Sequence, residues 1–478
     1  MENINRRTFL SASVAGSLAL AAKPAKRPNI VFIMADDLGY ADVGCYGQQK
    51  IRTPNIDQLS REGMRFTDAY SGCTVCAPSR SVLMTGLHMG HTSVRSNPGG
   101  VPLLADDITV AQVLKKAGYA TGGFGKWGLG DIGTSGVPSK HGFDEFFGYL
   151  NQVHAHFYYP EFLIDNEKRY PLRGNGNGKR TTYSHDVIAE RALAFIRKHK
   201  DQPFFCYVPV TLPHLELLVP EDSMAEYKGK FPEPKPFEST HYARQESPRT
   251  AYAGMVTRMD RTVGSIMALL RELRLEENTV LFFTSDNGAA TPLWKDDFFN
   301  STGPLRGHKQ NFYEGGIRVP SIVRWPGRIG AGTVNNHPWA FYDFMPTAAE
   351  LAGADPVKGS DGISIVPALI GANAAGREQK KHDFMYWELP RYIGKTGEFR
   401  KELPPAAVRM ANWKAVRPAP DAALELYNLQ SDIGETRNVA AEHSDIMAKI
   451  ERYLKTARTE PRPQLDPTPG WKQFISGS

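Results

Sequence analysis

Two short acidic turns stand directly after apolar runs. Residues 29–35 end in Asp36-Asp37-Leu38-Gly39, and residues 279–285 end in Asp286-Asn287-Gly288. Neither run alternates apolar with polar, as suits a strand buried on both faces of a parallel sheet. In open α/β sheets ligands bind beyond the carboxyl ends of the strands. Asp36, Asp37, Asp286 and Asn287 are therefore placed to share one site. Three adjacent carboxylates repel unless a cation neutralises them. An all-oxygen donor set favours Ca²⁺, or Mg²⁺, over zinc. Taken singly, each sequence is an ordinary turn; their recurrence after two buried strands points to metal.

A second set runs Cys76-Ala77-Pro78-Ser79-Arg80-Ser81-Val82-Leu83-Met84-Thr85-Gly86. Pro78 suits the first turn of a helix, with Cys76 just before it. A helix N-terminus attracts anions, and Arg80 adds a permanently charged planar donor. This combination places a nucleophile beside an anion site, although a cysteine ahead of a helix is more commonly structural. Cys73 and Cys76 form a C-x-x-C that alone would suggest redox or zinc chemistry, but no second such pair accompanies it. The four cysteines, Cys45, Cys73, Cys76 and Cys206, are too few for a disulfide framework in so long a chain.

The elements that must position these residues follow from pattern. A third apolar run, 203–210, leads into Pro213-His214. Thr109 and Gln112 form a capping box whose helix stops at Gly118. Residues 184–199 and 250–274 carry helical periodicity. Strands alternating with helices predict an α/β fold: a large mixed, mostly parallel sheet flanked by helices. Beyond about residue 375 short strands (383–388, 406–417) and a helix near 442–457 predict a smaller C-terminal α+β domain with an irregular tail. The division is 23–374 and 375–478. Segment 218–248, rich in Pro, Glu and Lys, reads as a surface insertion, and no internal repeats occur.

The 478 residues suffice for a sizeable core, and 41% hydrophobic with 23% charged is an ordinary globular composition. A net charge of +6 from 57 basic and 51 acidic residues, without a basic block, argues against nucleic acid as a partner. Asn5-Arg6-Arg7-Thr8-Phe9-Leu10, a small-residue stretch to Ala22 and the Ala19-Leu20-Ala21 site resemble a twin-arginine export signal over residues 1–22. That stretch is too short and polar for a stable membrane span, and none is expected in the mature chain. A periplasmic or secreted location follows.

C-x-P-S-R-x-x-x-x-T-G from Cys76 to Gly86 is similar at every fixed position to the signature of the sulfatase family, within the alkaline phosphatase superfamily. Other stretches resemble that family too: Ile30–Gly39, Gly118 through Trp127, Lys140–Asp144, Phe282–Gly288, His308–Gly316 and Leu426–Asn438. The resemblance implies an arylsulfatase-like sulfuric ester hydrolase acting on a sulfated carbohydrate or aryl sulfate. It implies that Cys76 is oxidised to formylglycine (3-oxoalanine) by a formylglycine-generating enzyme or an anaerobic sulfatase-maturating enzyme. It further implies that Asp36, Asp37, Asp286, Asn287 and the modified Cys76 hold Ca²⁺. Arg80 would steady the formylglycine, Lys126 and Lys309 would grip sulfate oxygens, and His214 would protonate the leaving alcohol.

One position departs from the family. Many members read G-K-W-H-L-G, where the histidine helps break down the sulfated intermediate; here Gly128 stands in its place. His88, His91, His154 and His156 are candidates to replace it, and His154 is favoured. Loops 88–103, 154–182, 214–248 and 291–306 are expected to set specificity. Within the superfamily the rival reading is a phosphodiesterase or phosphonate hydrolase. From another class it is a non-catalytic carbohydrate-binding protein, which the intact Cys76, Arg80 and lysines disfavour.

Overall fold

The computed structural model describes residues 27–290, 296–394 and 396–465. The expected export segment 1–22 and part of the expected specificity loop, 291–295, lie outside the described residues.

Ten strands form the main sheet: β1 (Asn29–Ala35), β2 (Met64–Phe66), β3 (Ala120–Lys126), β4 (Glu145–Tyr149), β5 (Phe162–Asp165), β6 (Lys168–Pro171), β7 (Phe204–Pro209), β8 (Thr279–Ser285), β9 (Ser321–Arg324) and β10 (Thr333–Asn335). Their order is β10-β2-β9-β8-β1-β7-β3-β4-β5-β6. The central five, β8 to β4, are parallel, and antiparallel pairings lie toward both edges. Every residue of β1, β3, β7 and β8 is buried, which explains the apolar runs of β1, β7 and β8; β3 is instead rich in glycine.

Helices cover both faces. Ile30, Phe32 and Met34 of β1 pack into one core with α2 (Cys76–Thr85), α3 (Val110–Lys116) and α6 (Phe344–Leu351). Val31, Ile33 and Ala35 face the other way, against α1 (Pro54–Glu62), α4 (Ser184–Lys198) and α5 (Pro248–Glu272). The capping box at α3 is present in both directions: Gln112 N–H donates to Thr109 Oγ1, and Thr109 N–H donates to Gln112 Oε1. Segment 218–248 is less superficial than its composition suggests. It contains a short helix, Glu221–Ala225, and buries Tyr227, whose hydroxyl accepts from Arg52 N–H. The β5–β6 hairpin lies inside the segment expected to be a specificity loop.

A second sheet follows, antiparallel, of β11 (Met385–Glu388), β12 (Ala406–Met410), β13 (Trp413–Arg417) and β14 (Glu425–Asn428). The expected 406–417 strand is a hairpin, turned at Ala411 with φ of 52°. One face packs on α7 (Ser444–Leu454) through Tyr386, Val408, Ala415, Leu426 and Ile450. The opposite face sends Trp387, Ala407, Val416 and Tyr427 into the main core, and the Trp387 indole N–H donates to Ser71 O at 2.8 Å. The alternation along each strand thus divides between two apolar partners.

Candidate active site

β1 and β8 run in register, with Ala35 beside Ser285, so the residues after each strand emerge side by side. Asp37 N–H donates to Asp286 Oδ1 at 3.1 Å, and Asp286 N–H to Ala35 O at 3.0 Å. Asn287 Nδ2 donates to Asp37 Oδ1 at 2.8 Å, while buried Asn287 Oδ1 has no hydrogen-bond partner among the described residues. The N-terminus of α2 brings Cys76 Sγ to 3.4 Å from Asp36 Oδ1. One turn on, Arg80 Nη2 lies 2.6 Å from Asp286 Oδ2, and Nη1 donates to Lys126 O at 2.7 Å. Lys126, at the end of β3, reaches Asp36 Oδ2 at 2.6 Å. Lys309 reaches Asp37 Oδ2 at 2.8 Å and Cys76 Sγ at 3.5 Å. His214, beyond β7, lies 3.5 Å from Asp37 Oδ2.

The carboxyl ends of four central strands and one helix start therefore converge, as the spacing of the motifs predicts. Three buried carboxylates face three cationic side chains. A divalent cation added to that balance would leave excess positive charge for an anionic ester. The oxygens of Asp36, Asp37, Asp286 and the orphaned Asn287 Oδ1 fit a hard cation. Burial raises Asp36, but the charges of Lys126, Arg80 and Lys309 outweigh it and hold its carboxyl far below the ordinary range. Burial, with the Asp36 charge, pushes Asp286 up. Burial opposes the Lys309 charge, but Asp37 holds it firmly protonated. Burial and Lys309 keep His214 neutral in this resting arrangement. The Cys76 thiol is pushed up to about 12 by burial and by Asp36.

The structure does not bring His154 into this cluster. Its ring packs between Tyr149 and Phe162, at 5.0 and 4.7 Å. His156, two residues on, stacks on His214 with ring centroids 4.5 Å apart. His88 and His91 stack on one another at 4.3 Å beside Asp361, a group of their own. His88 Nδ1 accepts from Gly90 N–H, so the neutral ring carries its proton on Nε2, toward Asp361; that makes it a poor metal ligand.

Gln152 was missed by the sequence reading. Gly128 has φ of 75°, and a Cβ there would lie 2.6 Å from Gln152 Oε1 and 3.7 Å from Arg80 Cδ. Gln152 thus fills the space that a side chain at position 128 would enter. It is 1% exposed, and neither its Oε1 nor its Nε2 has a partner among the described residues. A buried amide with neither group partnered among the described residues offers a ligand both a donor and an acceptor.

The loop carrying Lys309 is held from the second sheet. Lys414 of β13, fully buried, bridges Glu314 at 2.8 Å and Glu435 at 2.9 Å. Glu435 also accepts Glu314 N–H at 2.6 Å, and its backbone oxygen accepts from Arg306 at 2.8 Å. Removing the cation leaves Glu435 buried without an ionic partner among the described residues, while Glu314 keeps Arg318 and the Tyr70 hydroxyl. Lys414→Met should therefore cost about 3–5 kcal/mol of stability, read by denaturant titration. Combining it with Glu435→Gln should cost less than the two changes summed. Additive losses would refute the coupling.

The family model described as Sulfatase matches residues 28–354, and that described as N-sulphoglucosamine sulphohydrolase, C-terminal, matches residues 307–460. The chain is 34% identical to N-acetylgalactosamine-6-sulfatase of Canis lupus familiaris, over 78% of this chain and 71% of that protein. It is 32% identical to human arylsulfatase A, over 92% of this chain and 89% of that protein. Among solved structures it is similar to Ps i-CgsB in complex with k-i-k-neocarrahexaose, with a TM-score of 0.76 and 30% identity, covering 90% of this chain and 93% of that one.

Proposed function

Because the chain belongs to the sulfatase family and is a sulfuric ester hydrolase, we propose that it desulfates a sugar sulfate using Cys76 converted to formylglycine beside a bound Ca²⁺ or Mg²⁺. The observation that carries this reading is the meeting of Cys76 Sγ with Asp36 and Lys309, at 3.4 and 3.5 Å, beneath three carboxylates and an orphaned amide oxygen. Converted and hydrated, residue 76 would supply an oxygen nucleophile that suits a hard cation better than a thiol does. Asp36, Asp37, Asp286 and Asn287 would hold the cation, which supplies charge stabilisation at the ester oxygens.

The chain's own residues do the rest. Lys126 and Lys309 bind the sulfate oxygens, and Arg80 orients residue 76 through its hold on Asp286. Gln152 adds a neutral donor beside Arg80. His214 gives its proton to the leaving oxygen; the incoming anion offsets the lysine charges that keep it neutral at rest. The sugar preference is supported by the names of relatives that act on N-acetylgalactosamine sulfates. We assign 23–374 to catalysis and 375–478 to a closing domain. Residues 1–22 direct export to the periplasm or medium, and a formylglycine-generating or anaerobic maturating enzyme is the partner that prepares Cys76.

Proton donation matters most when the leaving alcohol is a poor one. His214→Asn should lower turnover of a sugar sulfate by about 10²–10⁴-fold, and that of 4-nitrophenyl sulfate much less. Equal losses on both would remove His214 as the acid. Running the matching phosphate esters in parallel tests the sulfatase reading against the phosphohydrolase one.

A further inference from the structure

Beyond α7 the described chain runs to Leu465 without helix or strand, yet it is held against loop 88–103. Thr459 N–H donates to Gly90 O at 2.9 Å, and the two segments lie so close that a Cβ at Gly90 would be 2.1 Å from Ala457 O. Arg95 returns the contact: its Nη1 and Nη2 donate to Thr459 O and Oγ1, both at 2.8 Å. Buried Glu388 of β11 faces Arg95 at 3.5 Å and Arg458 at 2.8 Å. Gln464 is the last anchor. It is fully buried, and both ends of its amide are engaged by the loop. Nε2 donates to Ser93 O at 2.7 Å, while Oε1 accepts from Arg95 N–H at 3.2 Å and from the Ser96 hydroxyl at 2.5 Å.

The next residue of the loop reaches the catalytic helix. A first helical turn leaves backbone N–H groups without intrahelical partners. At α2 the residue ahead of the helix is Val75, whose side chain cannot cap, and Pro78 has no N–H to offer. Ala77 N–H donates instead to Asn97 Oδ1 at 2.9 Å. Gly99 O, two residues on, accepts Gln152 N–H at 2.8 Å. One loop therefore touches α2 beside Cys76 and also the backbone of the residue that fills the space at Gly128. Asn97 is exposed, so its own burial does not fix it. Arg95 and Ser96, which precede it, are 3% and 2% exposed and are fixed by the end of the chain.

We propose that Gln464 is a positioning residue for the catalytic helix. By fixing Ser93–Ser96 it holds Asn97 against Ala77 N–H, and so sets the aim of Cys76 and Arg80. The kinetic consequence rests on the sulfatase reading; the structural one rests on the hydrogen bonds alone. Misaim of a nucleophile lowers the rate of attack. It leaves the grip of Lys126 on the substrate, which comes from the end of β3, as it was. The loss therefore falls on kcat rather than KM.

The test is a double-mutant cycle on kcat for a sugar sulfate and for 4-nitrophenyl sulfate, normalised to the fraction of residue 76 converted, as read by mass spectrometry. Gln464→Ala and Asn97→Ala should each lower kcat about tenfold, equally on the two esters and with little change in KM. The double variant should be about as slow as the slower single one, because both changes break one link. Losses that multiply, losses confined to the sugar ester, or an unchanged kcat in either single variant overturn the proposal. Should Gln464→Ala fail to fold, Ser96→Ala, which removes only the hydroxyl donated to Gln464 Oε1, takes its place in the cycle with the same expectations. Hydrogen exchange at Ala77, measured well below the melting transition, reads the link without catalysis. Gln464→Ala should speed it as Asn97→Ala does, and unchanged exchange overturns the proposal. A parent enzyme that cleaves neither ester sinks the sulfatase reading instead, and the exchange measurement then decides the latch by itself.

Discussion

Cys76→Ala should lower sulfate release by about 10⁶-fold, the scale on which deleting a covalent nucleophile acts in a well-studied hydrolase. The loss should leave the fold intact. Alanine is smaller than cysteine at the first position of α2, and the thiol's contacts are polar ones to Asp36 and Lys309 rather than core packing. Two measurements bear on the same residue. Mass spectrometry of the peptide ending at Arg80 should find the formylglycine form in active protein, and a hydrazide probe should capture its aldehyde. Both signals should vanish in the variant. Active enzyme carrying only thiol at Cys76 would falsify the proposed chemistry. A thiol whose pKa stands near 12 offers almost no thiolate at neutral pH, so the unmodified residue is a poor nucleophile where it sits.

Asp286→Ala should be nearly as severe, through metal rather than nucleophile. Asp286 touches four partners at once: its carboxylate meets Arg80 at 2.6 Å and Asp37 N–H at 3.1 Å, its own N–H donates to Ala35 O, and its backbone oxygen accepts from the Ser79 hydroxyl. Its loss removes an oxygen donor and frees Arg80 from its buried carboxylate. Elemental analysis should find about one Ca²⁺ or Mg²⁺ per parent chain and little in the variant, with activity down by about 10³-fold or more. Chelation of the parent enzyme should reproduce the loss, and restoring the ion should reverse it in the parent alone. Stoichiometric zinc in the parent would contradict the oxygen-donor argument.

The residues legible in the sequence are those whose position follows from an element's end. Asp36, Asp286 and Lys126 stand immediately after or at the last residue of buried strands, and Cys76 begins a helix; local pattern alone aims them at one edge of the sheet. His156 and Gln152 depend on direction instead. His154–His156 is a 3₁₀ turn with three residues per turn, so side chains two apart leave the axis on different sides. One histidine faces Tyr149 and Phe162, the other His214. Nothing in composition distinguishes them. Gln152 is legible only as the occupant of the gap at Gly128, which the sequence marks without naming what fills it. The β5–β6 hairpin carries a local signal of its own. Asn166 sits at its turn with φ of 56°, a backbone state that asparagine tolerates better than most residues.

All ten residues of α2 are buried, and Arg80 is locked to Asp286 at the far end of β8. A proposed maturing enzyme that needed the segment around Cys76 extended would find it helical and enclosed in the finished protein. On the proposed chemistry, conversion of Cys76 would be a matter of time as much as of recognition. The segment is free once it has left the ribosome, and it closes when β8 has been made and has docked beside β1. Roughly two hundred residues of synthesis separate the two events, about 10–40 s at ordinary rates of chain elongation. Within that interval the proposed maturing enzyme would compete with the collapse of the sheet, and a chain that folded first would be left with an enclosed thiol.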